Sequence, residues 1–310
     1  MVAVKSSIGM VEKIMNIKVR QFINFPDEQS KFVHQLRTKI SEIQRPNQKE
    51  GEIFYDKIAF KREIDGLRLP VPKTYSSIQN LKDFQLLWDG QKDLTEFVFK
   101  PNHLSQGLHI HSVKKTGPDQ YTELNGTTHD TKYFRLLTQK ILERPHVHKA
   151  VLLEEMIHSH PDFKKWYVYD GIMDMRIYCL YDTILCGKMR LPTKSSQGYG
   201  NTGRNGCAVF INPSTGIIED PGWMDNIVTK HPDLGITLVG EKVPFWKEMC
   251  QTATVVAKHF KLPFHSVDMT VNENGVPIII EGEKIPLLSH FTKKGSVEVM
   301  DLIKKYSGGK

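Results

Sequence analysis

The chain has 310 residues, 39% hydrophobic and 25% charged, ordinary values for globular material with space for roughly two domains. It contains no run of 18 apolar residues, and its first residues, MVAVKSSIGMVEKIM, lack an apolar core ending in a small-residue cleavage site, so neither a membrane span nor a signal peptide is expected. The net charge of +7 is spread along the chain in ones and twos, without a basic arm or a zinc-finger spacing, which favours anionic small molecules over nucleic acid.

In chain order, Phe32, Val33, Leu36, Ile40 and Ile43 stand at helical spacing, with Pro26 near the first turn. The segment YDKIAFKREIDGLRLPVPKTY predicts a short helix stopped by Gly66, then extended chain at Pro70 and Pro72 that links to a new subdomain. From Glu96 to Val113 the order is strand, loop, strand (EFVFK, PNHLSQG, LHIHSV), with a further pair around Asn125-Gly126. A helix over KYFRLLTQKILE, with Phe134, Leu137, Ile141 and Leu142 on one side, leads to the apolar strand AVLLEEMI. Together these make a unit the size of a small lid domain. MDMRIYCLYDTILCGKMRL reads as two strands hinged near Tyr181-Asp182, and CAVFINPSTGIIED as a hairpin turning at Pro213 to Gly216. In PFWKEMCQTATVVAKHFK the residues Phe245, Trp246, Met249, Ala253, Val256, Ala257 and Phe260 recur every three or four positions, an amphipathic helix packed on the final hairpin.

That hairpin, VDMTVNENGVPIIIEGE, sets Asp268, Glu281 and Glu283 in an otherwise apolar ribbon. An even-membered loop is expected, pairing Asp268 with Ile279 and making Asp268 and Glu281 diagonal neighbours with Cα atoms roughly 7–8 Å apart. Glu283 joins them by the period of two, and Val267, Met269, Val271, Ile278 and Ile280 occupy the opposite face. Clustered carboxylates repel unless cations compensate; a solvated acidic face is the alternative.

Lys100 ends a strand before a loop, where an ammonium can reach a phosphate or simply be solvated. Arg176 and Arg190 sit within successive strands and need an anion or a structural carboxylate. GYGNTG, Gly198 to Gly203, matches G-x-G-x-x-G, but a strand rather than a helix follows, which excludes a dinucleotide fingerprint. Ser195 to Gly206 is expected as a mobile active-site loop or a plain connector. Three H-x-H pairs, His109/His111, His146/His148 and His158/His160, have no identifiable further ligands for tetrahedral zinc. The four cysteines show no C-x-x-C spacing, consistent with a reducing cytoplasm.

Taken together, YDKIAFK…GLRLPVP, FVFKPNHLSQGLHI, VLLEEMI, DMRIY…GKMR and SVDMTV…PIIIEGE resemble the ATP-grasp superfamily from about Asp56 to the C-terminus. The resemblance is closest to the sugar-transfer-associated or glutamate-ligase-related branch, since HPDLGITLVGEKVPFWKEM is similar to that branch's H-P-x-x-G and G-x-x-x-P-x-W pattern. It implies an α+β ATP-grasp fold, two α+β lobes gripping a nucleotide, with a reduced N-terminal segment (1–75), a lid (76–155) and a catalytic subdomain (156–310). By the same resemblance Lys57 and Lys100 are directed at ATP phosphates, Glu154 and Glu155 meet the adenine and ribose, and Gly107 stands in the phosphate loop. Arg176 and Arg190, with Lys100, balance charge near the transferred phosphate. Asp268 and Glu281 match magnesium ligands, and Glu283 stands where the family has Asn. The implied cofactors are ATP and Mg²⁺, or Mn²⁺. The implied activity is an ATP-dependent carboxylate–amine ligase acting on small anionic substrates in the cytoplasm; a small-molecule kinase or a non-catalytic protein that binds nucleotide or anionic polymer is the alternative.

Overall fold

The computed structural model describes residues 34–35, 38–42, 51–104, 107–167, 169, 171–223, 227–284, 286 and 301. The helix expected around residues 32–43 falls partly outside this set; residues 34–35 and 38–42 are helical. Helix α1 (Lys57–Gly66) starts where Asp56 accepts from the amides of Ile58 and Ala59 at 3.0 and 3.1 Å, satisfying two of the donors that a helix start leaves unpaired. Its buried residues are Phe60, Lys61 and Ile64, so one turn-spaced stripe turns inward with a lysine among the apolar groups.

Strands β1 (Thr74–Ile78), β2 (Glu96–Pro101), β3 (His111–Gly117), β4 (Gln120–Glu123), β5 (Thr128–His129) and β6 (Val151–Glu154) form one antiparallel sheet in the order β1-β6-β2-β3-β4-β5. Helices α2 (Phe84–Asp89) and α3 (Thr131–Leu142) contribute to its core, where Phe84, Trp88, Phe97, Phe99, Phe134 and Ile141 are buried. Asp130 caps α3 through the Tyr133 amide at 2.7 Å. The strand expected over LHIHSV begins only at His111, because Gly107 to His109 turn first.

The second antiparallel sheet comprises β7 (Asp174–Leu180), β8 (Thr183–Leu191), β9 (Cys207–Ile211), β10 (Ile218–Trp223), β11 (Ile227–Val228), β12 (Phe264–Val271) and β13 (Pro277–Glu283), in the order β11-β10-β9-β8-β7-β12-β13. Helix α4 (Trp246–Phe260) joins one face: Trp246, Met249, Ala253, Val256 and Ala257 share a core with Ile177, Met189, Val209 and Val267. Side chains alternate along a strand, so Arg176, Lys188, Arg190 and Asp268 fall on the other face.

The closing hairpin departs from its expected register. Val271 pairs with Pro277 and Met269 with Ile279, but Asp268 pairs with Glu281 and Ser266 with Glu283. The loop is odd-membered: the amide of Asn272 donates to Val276 O at 3.0 Å, leaving Glu273, Asn274 and Gly275 at the tip, with Gly275 at φ 77°, the left-handed residue that three-residue hairpins favour. Ile280 is an extra, unpaired residue, a β-bulge. Asp268 and Glu281 are therefore directly opposite rather than diagonal, Ile279 enters the core, and Ile280 lines the cleft described below.

Candidate active-site cleft

The floor of the cleft is the polar face of the second sheet. Asp268, 1% exposed, accepts from Arg176 Nε and Nη2 at 2.7 Å each and from Arg190 Nη2 at 2.6 Å. Arg190 also pairs with Asp174, and Arg176 with Glu283. Buried charges survive only when paired and hydrogen-bonded, and here two guanidiniums are shared among three carboxylates. Burial alone would push the Asp268 carboxyl up, but Arg176 and Arg190 override it and hold it well below the usual range. Glu283 is shifted the other way: burial and the charges of Asp268 and Glu281 raise it, against the pull of Arg176.

Lys188 lies opposite Arg176 in the register and is 3% exposed. It makes no hydrogen bond or ion pair among the described residues, and burial, reinforced by Arg176 and Arg190, pulls it well below the ordinary lysine value.

The facing wall comes from the first sheet and α1. Glu154, at the end of β6 and 1% exposed, is gripped by Lys61 Nζ at 2.5 Å and Lys100 Nζ at 2.7 Å. The two lysines hold its carboxyl low against the effect of burial. Burial, followed by the neighbouring charge of Lys100, draws Lys61 down to about 7 despite Glu154. Lys57 donates to the carbonyls of Asn102 and Leu104 at 3.3 and 2.8 Å and stands 3.5 Å from Glu281 Oε2, tying the chain after β2 to the acidic ribbon.

A third wall is the segment between β8 and β9. Gly198, Tyr199, Gly200, Asn201 and Arg204 line the cleft. Tyr199 spans to the first sheet, donating to Glu123 Oε2 at 3.0 Å and accepting from the Ser112 amide at 3.3 Å. The G-x-G-x-x-G stretch thus supplies a wall of the cleft rather than a turn into a helix.

Of the residues singled out from sequence, Lys100, Gly107, Glu154, Glu155, Arg190, Asp268 and Glu281 line this one cleft. Glu155 accepts from the Lys73 amide at 3.0 Å at its border, and Gly107 sits beside Asn201 and Arg204 at φ 70°, a left-handed backbone conformation that favours glycine. Arg176, Glu283 and Lys57 stand behind the lining, each paired to an acid or a base of the floor. Sequence reasoning passed over Asp174, Lys61, Lys188 and Tyr199. Lys61 had a usable signal, a lysine one helical turn after Lys57 inside an apolar stripe, and Lys188 alternates with Arg190 on one strand face. A separate hollow beside the start of α1, lined by Asp56, Arg62, His148 and Lys149, holds none of the expected residues.

A family model described as sugar-transfer associated ATP-grasp matches residues 39–299. No curated protein matches the chain. Similar solved structures include a RimK-domain ATP-grasp protein from Sphaerobacter thermophilus, at 11% identity over 83% of this chain and 69% of that one with a TM-score of 0.47. D-alanine–D-alanine ligase from Bacillus anthracis, complexed with ATP, is 11% identical over 83% of this chain and 67% of that one, with a TM-score of 0.49. D-cycloserine synthetase DcsG is 12% identical over 82% and 70%, with a TM-score of 0.44.

Proposed function

Because the chain belongs to the sugar-transfer associated ATP-grasp family, and so has an ATP-grasp fold, we propose that it is an ATP-dependent ligase joining a carboxylate to an amine through an acyl phosphate. On this reading residues 76–155 act as the lid and 156–310 as the catalytic subdomain. The observation that carries the reading is the charge arrangement of the cleft: Lys100 on one wall, with Lys61 behind it, and Arg190 on the floor, with Arg176 behind it, each cation held by a buried carboxylate. Such a cleft is preorganised for a triphosphate, because its cations are already desolvated and fixed.

The donors also fit a hard divalent cation. Asp268 Oδ1 accepts one hydrogen bond and retains a lone pair, Glu281 faces it directly across the ribbon with Lys57 as its ion-pair partner among the described residues, and both line the cleft. Asp268 and Glu281 would hold Mg²⁺, with Glu283 behind them, and the ion would offset triphosphate charge.

The lysines on Glu154 would take the phosphate chain. Arg190 and Arg176 would orient the acceptor carboxylate and balance the charge that develops as its oxygen bonds to the γ-phosphorus and ADP departs. The amine nitrogen then bonds to the acyl carbon, phosphate leaves, and one amine proton ends on the phosphate. Tyr199, bridging the cleft wall to Glu123, closes the side through which water would hydrolyse the acyl phosphate.

The test is mass spectrometry of reactions containing protein, Mg-ATP and pooled carboxylated metabolites and amino acids. ADP, phosphate and a condensed amide are expected; a stable phosphorylated product without amide would replace ligation with a kinase activity.

A further inference from the structure

We propose that His111, Glu123 and His129 form a binding site for a zinc-class divalent metal on the outer strands of the first sheet, separate from the carboxylate ribbon. One ligand atom from each of the three residues lies within 4.8 Å of the others. They come from β3, β4 and β5, and the register explains their meeting: Val113 pairs with Glu123 and Tyr121 with His129, so His111 and His129 are the diagonal neighbours of Glu123 on one sheet face. No local spacing in the sequence announces this, since the H-x-H partner His109 takes no part.

The donors converge. His111 Nδ1 is 2.9 Å and His129 Nε2 2.6 Å from the same oxygen, Glu123 Oε1. Zinc bonds of about 2.0–2.1 Å at tetrahedral angles separate donors by roughly 3.3 Å, so each nitrogen–oxygen pair would open by about half an ångström to admit the ion. Loading is balanced in protons: each imidazole presents a lone pair to the metal and carries its proton on the other ring nitrogen, any excess proton passing to solvent.

The surroundings hold the donors in place. Tyr199 donates to Glu123 Oε2 at 3.0 Å, leaving Oε1 toward the imidazoles. The Tyr133 ring stacks on His129 at 3.9 Å, and its hydroxyl stands 3.5 Å from His111 Nε2, the nitrogen that carries the proton in the loaded form. Side-chain exposures of 10–11% and the nearby Phe134 ring make an uncompensated Glu123 charge costly. Two imidazoles and one carboxylate suit zinc-class ions, whereas magnesium prefers all-oxygen ligation. A fourth position remains for water. Through Tyr199 the ion would brace the first sheet against the segment between β8 and β9.

The experiment is calorimetric titration of the chelator-stripped full chain with Zn²⁺ in excess Mg²⁺, which occupies the oxygen-donor ribbon. Binding of about one Zn²⁺ per chain is expected. Glu123→Gln and His129→Ala should each lose at least about 100-fold in affinity, Tyr199→Phe roughly 10-fold, and Glu281→Gln nothing. Should the first two variants fail to fold, Co²⁺ added to the wild type must perturb the ring signals of His111 and His129 in histidine NMR. Wild-type affinity retained in folded Glu123→Gln and His129→Ala, or Co²⁺ effects confined to other histidines, would overturn the site.

Discussion

Replacing Glu154 by Gln removes the charge shared by two buried lysines while nearly preserving shape. Lys61 and Lys100 are 5% and 4% exposed, and Lys100 has Glu154 as its only ion-pair partner among the described residues. Removing one partner of a buried pair costs about 3–5 kcal/mol. Lys61 adds little to that loss, since at about 7 it is already half discharged at neutral pH; the gap from 10.5 corresponds to about 5 kcal/mol that the wild type already bears. The expected destabilisation of Glu154→Gln at pH 7 is therefore about 3–5 kcal/mol, most of it through Lys100. A lysine whose folded pKa is depressed penalises folding fully at low pH, and the penalty fades as pH rises toward 10.5. Between pH 7 and 10 the gap between wild type and variant should therefore shrink by roughly half. Urea unfolding followed by tryptophan fluorescence, with Trp88 reporting on the first sheet's core, measures it. A gap below about 1 kcal/mol at pH 7, or one that does not narrow by pH 10, would refute the reasoning.

Two carboxylates of the ribbon should behave differently from one another. Glu281→Gln is expected to abolish Mg-dependent ATP turnover while moving stability by less than about 0.5 kcal/mol, because its side chain is one-third exposed. Asp268→Asn should abolish turnover and also cost about 3 kcal/mol, since it withdraws the charge that two arginines share; equal unfolding midpoints for the two variants would contradict this. Arg190→Lys retains charge but cannot reach both Asp174 and Asp268, so ADP release should slow by about 10²–10³, as a coupled assay would register. Gly187→Ala places a Cβ 2.4 Å from the Trp246 ring, and a loss of about 1–3 kcal/mol by thermal melting is expected.

The elements legible from sequence are those with strong local periodicity. Helix α4 follows from Trp246, Met249, Ala253, Val256 and Ala257, all buried, and the β7–β8 hairpin turns at Tyr181-Asp182 as expected. Legibility fails where a contact depends on register between strands. The bulge at Ile280 adds one unpaired residue that no propensity marks, and the triad of His111, Glu123 and His129 requires knowing which strands neighbour each other. The acids of the ribbon read from sequence as awaiting a cation or facing solvent; the arginines that neutralise Asp268 and Glu283 lie on β7 and β8, 92 and 78 positions from Asp268 in the chain.

That single unpaired isoleucine is an insertion that the ribbon absorbs. Ile279 packs in the core, while Ile280 and Glu281 both line the cleft, so the extra residue occupies the bulge and leaves Glu281 opposite Asp268. Deleting Ile280 would set Glu281 directly after a core-facing residue, keeping Glu281 and Glu283 on the side of Arg176 and Gly282 against Phe54 and Phe60; what the protein would lose is one apolar side chain from the cleft wall and the local twist that a bulge adds.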